Sequence, residues 1–291
     1  MIPTMGIFYY FPLTYCTMLP LTLIHPDSES ALPLMPSSER KKQKQKIMEK
    51  QIKIETLLPF GPVMLRTTIP SYVVDNLNRY CDETLADPQQ LKDYDYSSQL
   101  AGNVQREFKL SKNFIQKEEN FSNILSKLAQ RMLDVDVRGS LDNSSFGYLR
   151  NSPAGTTGMD RKYITGCQIV TIWCVSQWAG DFNPLHVHSG DLSGVLYLKV
   201  PEGLAEEYKN EDHYPAVGDT QFIAGTPQAF SRNNLKISPK VGELYIFPAW
   251  LHHTAYPFRT KEQERRSISF NIVYDIDLER FSKEKRSLEK E

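Results

Sequence analysis

The sequence has almost no net charge: 34 Lys+Arg against 35 Asp+Glu leave −1 across 291 residues. A nucleic-acid or anionic-membrane binder needs a basic excess, and none is present. Cysteine is sparse, and the four residues (Cys16, Cys81, Cys167, Cys174) match neither a disulfide framework nor a metal knuckle in their spacing. Cys167 and Cys174 lie in one apolar stretch and read as small buried hydrophobes in a reducing compartment, so the expected location is cytoplasmic. Also missing are an internal repeat, a Gly-rich phosphate loop and any Ser/His/Asp or paired-carboxylate constellation. Core material is plentiful: 40% hydrophobic and 11% aromatic residues suffice for a packed domain and exclude a disordered chain.

The first two dozen residues carry no charged side chain. Pro3, Pro12 and Pro20 speak against a membrane helix, and no basic stretch precedes the apolar run as a signal sequence requires. A basic run, Arg40 to Lys46, follows a Pro/Ser-rich stretch, and a second in-frame start at Met48 opens like an ordinary soluble domain. Residues 1–47 are therefore expected to be an unstructured or wrongly included leader with a solvated basic linker. Residues 48–278 are expected to form one domain with N-terminal helical cover, and 279–291 a charged tail.

Within that domain, Ser71 can cap a helix in which Val74, Leu77, Cys81 and Leu85 recur at helical spacing. Phe121, Ile124, Leu125, Leu128 and Met132 fit a second. Residues 139–166, rich in Gly, Ser, Asn and Pro, read as a long loop, either a lid over a site or a surface excursion. Short strands follow: Cys167–Val175, Leu185–His188, Gly194–Val200, Glu243–Phe247 and Ser267–Tyr274. The expected class is mainly β with flanking helices (α+β), an antiparallel sandwich or barrel.

Only six histidines occur, and four sit in two motifs. In the first, His186-Val187-His188, residues two apart on a strand face one side, so both imidazoles can enter one cavity. The second, His252-His253, follows a Phe-Pro strand end. Two imidazoles from one strand and a third from a distant one make a facial cap for a divalent metal, with the open face left for substrate, water or oxygen. The bland alternative is a set of half-buried strand histidines satisfied by hydrogen bonds. In a third motif, alternation puts Arg265, Ser267, Ser269 and Asn271 on a polar face that should line a cavity. It puts Arg266, Ile268, Phe270 and Ile272 on an opposite face that should pack against helices. An Arg and a Ser two apart make a carboxylate receptor. Taken alone, an Arg at a strand start is more readily explained as solvated or paired with Glu264.

Together these elements resemble the 2-oxoglutarate- and Fe(II)-dependent oxygenases found in bacteria and phages. The resemblance rests on His-x-His ahead of "SGVLYL", then "FPAWLHH" and "ERRSISFN", and covers roughly residues 165–275, with a weaker likeness ahead of it that includes "SQLAGNV". It implies a double-stranded β-helix (jelly-roll) core and a hydroxylase that uses Fe(II), 2-oxoglutarate and O2 and releases succinate and CO2. Carried over by position, His186, His188 and His253 are the metal ligands, with His252 as a substitute for the last. Arg265 holds the distal carboxylate of 2-oxoglutarate, Ser267 assists, and Tyr197 donates a hydroxyl to it. One departure stands out: His188 occupies a slot that most of the wider superfamily fills with Asp or Glu. Asp191 could restore a carboxylate if the turn folds back. Rival readings are a cupin-type metal protein (isomerase, other dioxygenase or binding module), a three-His zinc enzyme activating water, and a non-catalytic jelly-roll. The substrate, small molecule or peptide, is not legible. Jelly-rolls often dimerise, so a homodimer is compatible with the sequence, although no exposed stripe marks its interface.

Overall fold

The computed structural model describes residues 55–57, 61–104, 106–134, 148–149, 158–159, 163–210, 216–229, 232–280 and 282–283, all within the unit Glu49–Glu291. The expected leader and most of the 139–166 loop lie outside the described residues. In chain order the elements are β1 (Glu55–Leu57), β2 (Met64–Thr68), α1 (Ser71–Ala86), α2 (Pro88–Asp93), β3 (Arg106–Lys109), α3 (Lys112–Lys117) and α4 (Glu119–Asp134). The short β4 (Tyr148–Leu149) and β5 (Gly158–Met159) pair with each other. Then come β6 (Ile164–Gln177), β7 (Asn183–His186), β8 (Leu192–Lys199), α5 (Leu204–Lys209), β9 (Thr220–Ile223) and β10 (Asn234–Ile237). The last three are β11 (Glu243–Pro248), β12 (His252–Ala255) and β13 (Arg265–Ile276).

From β6 onward the chain alternates between two sheets. β6, β8, β11 and β13 join the larger, in the order β1-β2-β11-β8-β13-β6-β3, while β7, β9, β10 and β12 form the smaller, β10-β9-β12-β7. The pairings are antiparallel. Two antiparallel layers wound in alternation are a double-stranded β-helix, and the fold is mainly β with flanking helices.

β13 shows why these residues make this architecture. Its period-two pattern gives two usable faces. Ile268, Phe270 and Ile272 are fully buried with Val73, Val74 and Leu77 of α1 and Phe121, Ile124 and Leu125 of α4 in one core. Phe121 meets Phe270 edge-to-face at 6.3 Å, a favoured aromatic geometry. Arg266 opens this face and is 1% exposed. Its guanidinium forks onto Glu264 (2.8 and 2.7 Å) and reaches Asp82 of α1 at 2.8 Å, which ties the strand to the helix. Ser267 and Asn271 face the other way, toward the space between the sheets.

Several expectations need adjustment. Ser71 is already the first helical residue; Pro70 takes the cap position, with no side-chain cap bond, and its carbonyl accepts from the Val73 and Val74 amides. The strand expected at 185–188 lies instead at Asn183–His186, because pairing with β12 ends there. β2, β3, β9, β10 and β12 have too few residues for alternation to stand out. Cys174 is buried and Cys167 half-buried, and both are free thiols.

Gly194 of β8 is a position where only glycine fits. A Cβ there would lie 2.6 Å from the Tyr245 carbonyl oxygen, a backbone atom that cannot yield, with the Phe270 ring filling the space beside it. Gly194→Ala is expected to lower the unfolding free energy by about 1–3 kcal/mol, the range typical of overpacking, as measured by urea denaturation.

Candidate metal centre

The smaller sheet sets His186 directly opposite His253 in the β7–β12 pairing. His188 lies past the end of β7, where its amide donates to the Ala249 carbonyl at 2.9 Å, so it is placed by that bond and not by the strand ladder. One ring nitrogen from each of the three falls within 4.8 Å of the others. The Nε2 atoms of His188 and His253 are 3.0 Å apart. Two imidazoles bound at right angles to one ion at about 2.1 Å would stand about 3.0 Å apart. Among the described residues, no other three His, Cys, Asp or Glu side chains converge in this way.

In two of the rings the other nitrogen fixes the tautomer. His186 Nδ1 lies 2.6 Å from the Pro184 carbonyl and His253 Nδ1 lies 2.8 Å from the Leu251 carbonyl. An imidazole whose Nδ1–H donates to a carbonyl presents its Nε2 lone pair, the usual support for a metal-binding histidine. Burial keeps the rings neutral. It pulls His188 down to about 2, with His253 and His186 adding repulsion, and His253 down to about 3, with His186 adding to the effect. His186 is lowered too, again chiefly by burial. Three neutral, converging imidazoles suit a borderline divalent ion such as Fe(II).

The two alternatives are turned elsewhere. His252 is exposed, on the opposite face of β12 from His253. Asp191 is buried, and its Oδ2 accepts from the Tyr274 amide at 2.7 Å, which holds the carboxylate in the β8–β13 layer and outside the converging group. The cluster is therefore all-imidazole.

The histidines share a cavity of about 260 Å3 with the polar face of β13, where Arg265, Ser267, Ser269 and Asn271 line the wall. Glu264 goes to Arg266, so Arg265 has no carboxylate within ion-pair distance among the described residues. It is 2% exposed. One Nη donates to Gln177 Oε1 and the other to Thr220 Oγ1 at 3.2 Å, while its Nε has no partner. A buried guanidinium hydrogen-bonded only to neutral groups, with Asp219 acting on it from beyond contact distance, is costly, and an arriving carboxylate offsets that cost. Tyr197 stands behind the wall: it is fully buried, and its hydroxyl donates to Thr220 Oγ1 at 2.8 Å. Thr220 Oγ1 thus accepts from both Arg265 and Tyr197, and its own proton is left to donate into the cavity that it lines.

Gln177, Thr220, Asn183 and Glu107 were not legible as site residues. Gln177 has the strand parity of Trp173 and Val175, so a strand two residues longer would have exposed it. Glu107 gives no local signal; only the pairing of β3 with β6 brings it inside. It is 3% exposed, its Oε1 has no hydrogen-bond partner, and it lines the same cavity. Burial pushes its carboxyl from 4.5 up to about 7, with Asp181 and Asp95 adding repulsion against a bond from Asn183.

Residues 171–271 match the model of a family described as "Putative 2OG-Fe(II) oxygenase". This span holds all three histidines, Arg265 and Ser267, and it coincides with the segment that carries the sequence resemblance. The family is one of Fe(II), 2-oxoglutarate and O2. No curated protein matches the chain. Solved structures similar to it include a prolyl-4-hydroxylase of Pseudomonas putida (12% identity, 80% of this chain and 98% of that one, TM-score 0.43). Another is the viral collagen prolyl hydroxylase of Paramecium bursaria Chlorella virus-1 in its 2OG complex (13%, 75% and 94%, TM-score 0.40). A third is a prolyl hydroxylase from Trichoplax adhaerens with a hypoxia inducible factor peptide fragment (12%, 85% and 96%, TM-score 0.41). Among the described residues, no helix is long and apolar enough to cross a membrane.

The raised Glu107 carboxyl has a consequence for stability. A carboxyl held at about 7 when folded and near 4.5 when unfolded favours the fold below about pH 4.5, and that contribution is lost as pH rises through 7. Glu107→Gln is therefore expected to be more stable than the wild type at pH 8 and to lose this advantage at pH 4.5, as read from urea midpoints at the two pH values.

Proposed function

We propose that this protein is an Fe(II)- and 2-oxoglutarate-dependent dioxygenase that hydroxylates a C–H bond of its substrate and releases succinate and CO2. The observation that carries this reading is the buried Arg265, without a carboxylate partner, in the same cavity as three neutral, converging imidazoles. A zinc hydrolase or a simple cupin needs the histidines but has no use for the arginine.

His186, His188 and His253 would hold the iron. Iron and 2-oxoglutarate together supply the oxidation of an unreactive C–H bond by O2. The chain's own residues bind, orient and insulate. Arg265 offers a planar fork to the far carboxylate of the cosubstrate, a geometry that lysine cannot reproduce. Ser267 adds a hydroxyl from the same strand, and Thr220 adds one from β9 of the facing sheet. Tyr197 is a positioning residue: it fills one acceptor site of Thr220 and packs with its ring 5.2 Å from the Arg265 guanidinium carbon, so it orients both donors. Val195, Phe247 and Trp173 add apolar surface to the wall and limit the water that competes for these bonds. With no carboxylate among them, the three imidazoles would leave a bound divalent ion its full charge for an anionic cosubstrate to answer. The free thiols Cys81, Cys167 and Cys174 support a reducing, cytoplasmic setting for this reading.

Succinate formation from 2-oxoglutarate in the presence of Fe(II) and air tests the proposal, since such sites turn over slowly even without their substrate. His253→Ala is expected to abolish it. Arg265→Ala is expected to raise the KM for 2-oxoglutarate at least tenfold, since a hydrogen bond to a charged group is worth about 1.5–3 kcal/mol. An unchanged KM in Arg265→Ala would refute the assignment.

A further inference from the structure

Glu107 is not explained by metal or cosubstrate binding. It sits on β3, where it pairs with Val175 of β6, and Val175 pairs in turn with Ser267 of β13. Glu107 and Ser267 are thus the two ends of one cross-strand rung, two strand spacings or roughly 9.5 Å apart. The cosubstrate receptor occupies one end of this wall and a carboxylate the other.

That carboxylate is buried, with one oxygen free of any partner, on the surface of the cavity. Burying an acid in this way is costly unless something answers it. The cations of its own strand do not: Arg106 lies over the Trp178 ring at 5.7 Å and Lys109 over the Tyr96 ring at 4.1 Å. Its charged neighbours are acidic, Asp95 and Asp181, and these deepen the negative potential. The adjoining walls are aromatic: Trp173 and Tyr96 both line the cavity. A buried carboxylate in an aromatic-lined cavity is complementary to an organic cation. The cavity's volume, about 260 Å3, falls below the ~300–1,000 Å3 of pockets that engulf a whole ligand. A substrate would therefore enter by one slim group.

We infer that Glu107 reads the substrate, and that the substrate presents to it a cationic nitrogen, an amine or guanidinium on a slim aliphatic chain. This rests on the oxygenase reading for the use of the remaining cavity. Anchored at Glu107, such a chain would run along the β6 wall past Trp173 and Val175, with its C–H bonds lying between the anchor and the histidines.

The test is direct binding, with the full chain loaded with redox-inert Zn(II) and 2-oxoglutarate, followed by ligand-observed NMR. Butylammonium and butylguanidinium are the probes, with butanol and butyrate as neutral and anionic counterparts. The cations are expected to bind the wild type and Glu107→Asp, to bind Glu107→Gln at least tenfold more weakly, and to be preferred over butanol and butyrate. Equal cation binding by the wild type and Glu107→Gln, or no preference for cations, would overturn the inference. Zn(II) and 2-oxoglutarate retention, measured on the same samples, separates the two claims. If both are retained without charge selectivity, only the Glu107 assignment falls. If selectivity persists but 2-oxoglutarate does not bind, the oxygenase reading falls and the cation site remains.

Discussion

β13 divides its side chains between two environments, and the rest of the molecule depends on that division. One face is sealed beneath α1 and α4 by Ile268, Phe270 and Ile272; the other supplies one wall of the cavity. A slip of one residue in its pairing with β6 and β8 would send the apolar set into the site and the polar set into the core. The close approach at Gly194, the Phe121–Phe270 contact and the fork of Arg266 onto Glu264 all resist that slip.

The adjacent arginines show how a single strand can place one cation in ion pairs and the next on a cavity wall. Arg266 is paired twice with acids, and its charge is spent on joining sheet to helix. Arg265, one residue earlier and on the other face, is equally buried but bonded only to neutral oxygens of Gln177 and Thr220. The histidines follow the same economy. Each ring for which a carbonyl partner is seen uses the carbonyl two residues back, so a short stretch of extended chain sets both the ligand and its tautomer. Two buried ionisable groups on the larger sheet's cavity wall, Arg265 and Glu107, thus have no ion-pair partner in contact among the described residues, and the three neutral imidazoles face them from the side of the smaller sheet.

Much of this was legible in the sequence, for a physical reason: alternation is visible wherever a strand is long. Alternation marks β6, β8 and β13 as strands and assigns the two faces of β13 to cavity and core as the structure has them. The three histidines could be grouped because residue type and parity restrict them so strongly. Short strands were not legible; β9 and β12 are four residues each, and Thr220 on β9 went unseen. The placement of His188 depends on a bond to Ala249 more than sixty residues away, and that of Glu107 on a non-local pairing. Neither contact leaves a trace in local pattern. The pairing of Glu264 with Arg266 and not Arg265 could be decided only by seeing which face each side chain takes.

The proposed function requires iron and 2-oxoglutarate to be held together, by the three histidines on one side and Arg265 on the other. Anaerobic titration of the Fe(II)-loaded protein with 2-oxoglutarate tests it most directly, because chelation of the iron by the keto acid produces a visible charge-transfer band. A saturable band is expected in the wild type, and in Arg265→Ala it needs far more ligand or fails to form. Stoichiometric iron with no band at saturating 2-oxoglutarate would contradict it.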